Sequence, residues 1–432
     1  MLAAELKKLS APFGLILAAV FGHLLFAPPQ FVIEVGPILL PPYRVFLLGS
    51  TIYVAVQLLS GRLRLGWADL FVILASVWIF VALAVTTDVE RALEAGGAQF
   101  VDFAVCYLFS RCVFTTLRDL RTFLILMAPI LAATGLLLAA ESVTQQFIGQ
   151  PFAASITGGA VAQDVVLRLG LMRAMGPFPH PILAGLMLGS LFAPFLLSGL
   201  RGWPKLAGLA GAACSFFTLS SAAMLGLVVG GALVAANWLT ERIANLGWRL
   251  ILAGLAIVAF ILQFATGAGV AGLLVRFASL NAESSYYRVL IWRYGSETVA
   301  DNPVFGVGYA EWERPIWMSS SVDNYWLLLA IQFGLLTPVL IILAAVLAVV
   351  GLARSSRYHS ISDQRTLRGL AISLAVFTLA LFSVAVWLSP QAWFFMLLGI
   401  CVGLGQSYTK ASGVADASEV AAEPKSQMAL AS

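Results

Sequence analysis

Apolar runs near the roughly 20 residues that cross a bilayer recur from one end of the chain to the other, separated by polar stretches. Backbone in hydrocarbon must satisfy its own hydrogen bonds, so these runs predict helices; they lack the two-residue alternation of a membrane β-barrel. In the first half the predicted spans are Pro12–Phe26, Tyr43–Ser60, Ala68–Thr86, Ala98–Cys112, Arg121–Ala140 and Ile182–Gly199. In the second they are Leu206–Ser220, Ala222–Leu239, Leu250–Gly267, Leu335–Leu352, Leu370–Leu388 and Ala392–Tyr408. The expected fold class is all-α: a polytopic membrane protein of about twelve helices with a large loop between the ninth and tenth.

Charge tests this map independently, because Lys and Arg concentrate in cytoplasmic loops. Placing Lys7 and Lys8 inside also puts Arg62, Arg64, Arg111, Arg118, Arg121, Arg201, Lys205, Arg242, Arg249, the Arg354–Arg368 cluster, Lys410 and Lys425 inside. About a third of the 25 basic residues remain outside or at that boundary, where Asp88, Glu90 and Glu94 make one loop acidic. Both termini are therefore expected in the cytoplasm, with the first helix retained rather than cleaved as a signal peptide.

Composition agrees. The 432 residues are 60% hydrophobic and 11% charged, with a mean hydropathy of +0.94, so lipid is the solvent for most of the chain. The formal charge of +4 comes from the cytoplasmic loops, suits anionic lipid headgroups and gives no argument for nucleic acid. Cys106, Cys112, Cys214 and Cys401 fall in or beside spans without metal-ligand spacing, which predicts packing residues rather than disulfides or zinc. Residues 1–410 are expected to form one transmembrane domain that includes the outside segments 141–181 and 268–324, and 411–432 a disordered cytoplasmic tail.

Those two long segments hold the candidate chemistry. In the second, Ser284–Ala300 has helical spacing: Arg288, Trp292, Gly295 and Val299 share one face, and Arg293 and Glu297 pair at i,i+4 on another. An arginine on a packed face is costly without an anion to hold. Phe305-Gly306-Val307-Gly308-Tyr309 follows, whose glycines predict close backbone packing rather than a nucleotide loop. Asp323, before Asn324-Tyr325-Trp326, is either the N-cap of the next helix or a general base. Glu311 and Glu313 read as surface charges.

The first long segment ends in Arg173-Ala174-Met175-Gly176-Pro177-Phe178-Pro179-His180-Pro181, a stiff approach to the sixth span that holds Arg173 and His180 near the outer interface. Arginine suits phosphate because its planar fork gives paired, charge-assisted hydrogen bonds. Arg173, Arg276, Arg288 and Arg314 are the candidate anion ligands, with interfacial snorkelling or ion pairing as the alternative. Neither a Ser-His-Asp triad nor a metal cluster can be assembled.

On the Arg173–Pro181 motif, the Arg288–Trp292 stretch, Asn302–Tyr309 and the Asp323–Leu336 run, the chain resembles the O-antigen ligase and polysaccharide polymerase superfamily of bacterial inner-membrane glycosyltransferases. The resemblance implies a metal-independent enzyme, without cofactor, acting at the periplasmic face on glycans carried by undecaprenyl pyrophosphate. Arg173 and Arg288, with Arg276 and Arg314, would engage the pyrophosphate, and Asp323 and Arg288 would be catalytic. His180, Tyr287, Trp292, Asn324 and Trp326 would contact substrate. Expected partners are the lipid-linked donor, an acceptor glycan, membrane lipids and other polysaccharide-export proteins.

Two departures matter. Ligases usually place histidine where this chain has Asp323, and often an arginine after a serine where it reads Ser220-Ser221-Ala222-Ala223. They favour a polymerase of exopolysaccharide or O-antigen units over transfer of finished glycan to lipid A-core. A lipid-linked sugar flippase is the reading from another class, and would need charged groups at midmembrane depth, for which Asp102 is a candidate.

Overall fold

The computed structural model describes residues 2–36, 38–159, 165–243, 247–265 and 282–406, and the chain there is mostly helical with two short hairpins. The expected tail 411–432 and Arg276 lie outside the described residues. Helices α1 (Leu2–Leu24), α2 (Pro42–Leu59), α3 (Trp67–Thr86) and α4 (Leu117–Thr144) come first, with hairpin β1–β2 (Ile33–Val35, Ile38–Leu40) between α1 and α2. Then follow α5 (Gly149–Thr157), hairpin β3–β4 (Leu167–Arg168, Leu171–Met172), α6 (Pro181–Ser190), α7 (Phe192–Leu197), α8 (Trp203–Ala213), α9 (Ser221–Arg242) and α10 (Trp248–Ala265). The last are α11 (Ala282–Asp301), α12 (Tyr325–Phe333), α13 (Leu336–Ser355), α14 (Ile361–Ala380) and a helix described over 389–406, α15.

Among the described residues, five helices are long and apolar enough to cross a membrane: Pro42–Leu59, Trp67–Thr86, Leu117–Thr144, Ser221–Arg242 and Leu336–Tyr358. Three shorter apolar helices, Phe13–Leu24, Pro181–Leu197 and Ala256–Ala265, lie among them. Several expected spans differ in detail. The segment around Ala98–Cys112 is helix interrupted by two π turns, Ala92–Gly96 and Val101–Val105. The sixth span is divided at Leu191, just before Pro194. The eleventh starts at Ile361, where Ser360 caps the Asp363 amide and admits polar residues to the first turns, and ends at Ala380.

Helices close on one another where side chains are smallest, as expected in lipid, where dispersion and fit replace the hydrophobic drive. A Cβ on Gly211 of α8 would stand 2.4 Å from the Leu131 carbonyl of α4, and one on Gly208 would collide with Phe195 of α7. Ion pairs gather at one end of the bundle: Arg121 with Asp363 at 2.6 Å and Arg365 with Glu241 at 2.7 Å. The other end carries the loops that matter below.

One carboxylate organises those loops. Glu141, fully buried in the last turn of α4, accepts from Ile148 and Gly149 N–H through Oε1 at 3.0 and 2.9 Å. Through Oε2 it accepts from Met175 and Gly176 N–H at 3.1 and 2.8 Å. A buried charge is tolerated when charge-assisted hydrogen bonds replace its hydration. Ser142 Oγ adds a bond to the Met172 carbonyl at 2.8 Å, and Gln150 donates to the Phe178 carbonyl. Arg173 to His180 is thus fixed from below by the end of α4 and the start of α5.

Glu141→Ala leaves four N–H groups without this acceptor, two of them buried, and is expected to cost about 3 kcal/mol or more. Glu297→Ala, removing an exposed i,i+4 partner of Arg293, is expected to cost less than about 0.5 kcal/mol. Unfolding of both variants in matched detergent, followed by tryptophan fluorescence, checks the contrast; equal losses contradict it.

Candidate functional site

Hairpin β3–β4 turns through Leu169 and Gly170, both at positive φ, the conformation of a two-residue hairpin turn that follows strand twist. The Arg173 amide donates to the Val166 carbonyl at 3.0 Å, and the Ala174 amide reaches the Phe217 carbonyl at 3.1 Å. Arg168 Nη1 donates to the Leu219 carbonyl, also at 3.1 Å. Both arginines therefore belong to a loop laid over the break between the 3-10 turn Cys214–Thr218 and α9. That break has Leu219 in the left-handed region and the Ser220 hydroxyl buried without a hydrogen-bond partner among the described residues.

Arg288 comes from α11, whose packed face is Ile291, Gly295, Thr298 and Val299. A Cβ on Gly295 would stand 2.8 Å from Leu327 of α12, so the helices meet closely there. Ile291 and Val299 share a small core with Trp312, Met318 and Val322 of the connecting loop and Leu327, Ala330 and Ile331 of α12. Val307 and Gly308 donate to the Ile331 and Gln332 carbonyls at 2.8 and 3.0 Å. The two glycines of that run, at φ +67 and +63, thus close on the end of α12 as backbone packing. This core fixes Asp323 relative to Arg288.

The cap belongs to Asn324 and not Asp323: Asn324 Oδ1 accepts from the Leu327 amide at 3.0 Å. One residue earlier, Asp323 accepts from Ser321 Oγ at 3.5 Å, and its carboxylate is left to act on the arginines. Burial draws the Arg173 guanidinium down to about 10; Arg168 adds repulsion and Asp323 opposes the fall. Arg288 is lowered in the same way, by burial first, against Asp323 and with Arg168. The Arg173 Nε has no hydrogen-bond partner among the described residues. Arg173 and Arg288, from two segments, thus share the field of Asp323 while both feel Arg168, and the excess positive charge suits an anion.

His180 lies beside them. It caps α6, its Nδ1 accepting from the Ile182 amide at 3.2 Å, and its ring lies 6.1 Å from that of Trp387. Burial, then the charge of Arg173, holds its pKa down at about 4. The ring is accordingly neutral near pH 7, and with Nδ1 accepting, the proton sits on Nε2 as a donor.

The remaining expected residues are placed differently. Arg314 is engaged within its own loop, with Glu311 at 2.7 Å, the Met318 carbonyl at 3.0 Å and the Trp312 carbonyl at 3.2 Å. Trp292, expected on the packed face of α11, is 44% exposed. Tyr287 accepts from the Ser319 amide and pins the loop to α11. Trp326 is buried against Phe382 and Phe394 and donates to the Thr378 carbonyl at 3.1 Å. Among the described residues no group of His, Cys, Asp and Glu is arranged to hold a metal ion.

Sequence reasoning passed over Arg168. Its signal was weak: a Leu-Gly pair between Leu167-Arg168 and Leu171-Met172, which marks a hairpin and so brings Arg168 back toward Arg173.

Long apolar helices with a cluster of arginines at one end mark a membrane protein. Residues 206–342 match the O-antigen ligase family model, so the chain carries a domain of that family, as the motifs suggested. The match runs from α8 into α13 and includes Arg288 and Asp323; Arg168, Arg173 and His180 precede it. No curated protein matches the chain.

Because its folded pKa lies below the ordinary 6.5, His180 contributes stability that is full above about 6.5 and is lost as pH falls toward 4. Histidine-resolved NMR should find it neutral at pH 5.5, whereas a midpoint near 6.5 contradicts the burial argument. His180→Asn, which retains a cap, should flatten this part of the acid stability profile.

Proposed function

We propose that the protein is an inner-membrane glycosyltransferase that polymerises oligosaccharide repeat units carried by undecaprenyl pyrophosphate, working at the periplasmic face. The family domain supports a glycosyltransferase acting on lipid-linked glycans in general. The observation that carries the finer reading is that Arg173 and Arg288 both feel the Asp323 carboxylate while Arg168 adds positive charge beside them. A pyrophosphate substituted at both ends is dianionic and fits that excess of positive charge. The alternation of basic loops supports a multi-pass topology of about twelve spans, with cytoplasmic termini and the arginine site outside.

The chemistry needs little beyond these groups. Pyrophosphate is already a good leaving group, so the protein must position donor and acceptor and neutralise charge as the bond from the anomeric carbon to the phosphate oxygen breaks. Arg173, Arg288 and Arg168 stabilise the departing oxygen. The acceptor hydroxyl attacks the anomeric carbon, and Asp323 takes its proton as the glycosidic bond forms. Attack opposite the leaving group inverts the anomeric centre. His180, a neutral donor, orients a phosphate or sugar oxygen without adding charge, and Trp292 and Tyr287 line the approach. No step asks for a metal or a cofactor.

The flippase reading finds less support. Asp102, its best intramembrane carboxylate, is held by Arg44 at 2.6 and 3.1 Å and by the Tyr43 hydroxyl at 3.3 Å. A carboxylate so occupied anchors α2 to the π-turned segment.

Reconstituted protein supplied with a lipid-pyrophosphate oligosaccharide should lengthen the lipid-linked chain. Glycan appearing on lipid A-core instead indicates ligation, and neither product, where a known family member works, removes the enzymatic reading. Arg288→Ala should lower transfer by at least a hundredfold. Arg288→Lys should recover little of it, because a point charge does not reproduce the bidentate fork. Asp323→Asn should fold normally, since Asn324 provides the cap, and lose transfer; retained activity removes Asp323 as base.

A further inference from the structure

Polar and apolar sides are exchanged on the elements around the arginine loop. On α5 the buried side chains are Gln150 and Ala153, whereas Ile148, Phe152 and Ile156 form an outward stripe at i, i+4 and i+8, with Phe152 68% exposed. A helix that packs on a core and faces water shows the opposite arrangement. In hairpin β3–β4, alternation sends the Arg168 side chain inward to the Leu219 carbonyl and leaves Leu167 and Leu169 outside. Leu169 takes the first turn position, at φ +53, and is 78% exposed. Hairpin turns in water favour Asn, Asp or Gly there, and leucine has neither their ease at positive φ nor their affinity for water.

This apolar surface continues the exposed face of α4. Leu136 and Val143 are two turns apart on one side of that helix, and both are exposed. The helix gives way at Gln145, whose Nε2 donates to the Gly170 carbonyl at 3.2 Å, so the hairpin tip is tied to the point where that face stops. Glu141, one turn earlier, holds the start of α5 through the Ile148 and Gly149 amides. Among the described residues from Ser142 to Leu167 none is charged.

We infer that α5 and the β3–β4 tip insert among the headgroups and upper acyl chains of the leaflet at that end of the bundle, so that the loop carrying Arg168 and Arg173 rests on the bilayer surface. The occupant is lipid rather than a protein partner. The surface prolongs the outer face of a helix long and apolar enough to cross a membrane, and it offers no charge of its own by which a partner would be oriented. The bilayer then supports the loop from outside, as Glu141 and the bond from the Ala174 amide to the Phe217 carbonyl support it from within. The inference stands whatever anion the arginines hold.

The test uses the full chain in phospholipid nanodiscs, spin-labelled at Phe152→Cys or Leu169→Cys and corrected for the label that the unsubstituted protein takes up. Collision of the label with oxygen or with a neutral, water-soluble nickel chelate reports its depth. Oxygen should dominate at both positions; dominance of the nickel chelate at either overturns the inference. Hydrogen exchange gives a second reading. Leu169→Asp retains a residue that tolerates the left-handed turn but puts charge into lipid, so exchange over residues 165–172 should rise at least tenfold. Leu169→Phe, which stays apolar, should leave that exchange as it is. Equal exchange in all three proteins, or an equal rise in both variants, overturns the part assigned to lipid.

Discussion

The loop that carries Arg168 and Arg173 depends on one buried carboxylate. Glu141 stands at the end of an apolar helix, and its two oxygens gather backbone amides from either side of the loop that carries Arg168 and Arg173. A loop of glycine and prolines cannot brace itself with a regular ladder of backbone hydrogen bonds. Anchoring it to a buried charge converts the rigidity of α4 into a fixed position for two guanidinium groups. Gly176, at φ +55, makes this possible: its backbone turns toward Glu141 in a conformation that a side chain would disfavour.

A second anchor fixes the opposing charge. Asn324 takes over the capping of α12, which frees the neighbouring Asp323 to face the arginines, while the Ile291 to Ile331 core holds α11 against the same helix. Arginines held partly out of water carry an electrostatic cost that a bound anion would offset. The device resembles an oxyanion hole in its logic, since the positive groups are oriented before the negative charge develops.

Much of this was legible in the chain. Helical runs follow from hydrophobic periodicity, and the α11 helix with its Arg293–Glu297 pair at 3.7 Å falls where residue spacing put it. Arg173, Arg288 and Asp323 could be singled out as candidates because buried charge is expensive and outside arginines are few. What stayed hidden depends on pairings distant in sequence. Arg168 joins the site only because a hairpin folds back, Glu141 ties amides 7 and 8 residues on to others 34 and 35 residues away, and Arg314 is engaged by loop carbonyls that no local pattern announces. The shift of the cap from Asp323 to Asn324 is a one-residue matter, below the resolution of boundary rules.

The central claim is that Arg168, Arg173 and Arg288 together hold a pyrophosphate opposite Asp323. Cryo-electron microscopy of the protein with bound undecaprenyl pyrophosphate tests it most directly. The account predicts both phosphates within hydrogen-bonding distance of Arg173 and Arg288, with Arg168 beside them and Asp323 facing the open side. Phosphate density against the Arg121–Asp363 end of the bundle, with the three arginines unengaged, would contradict it.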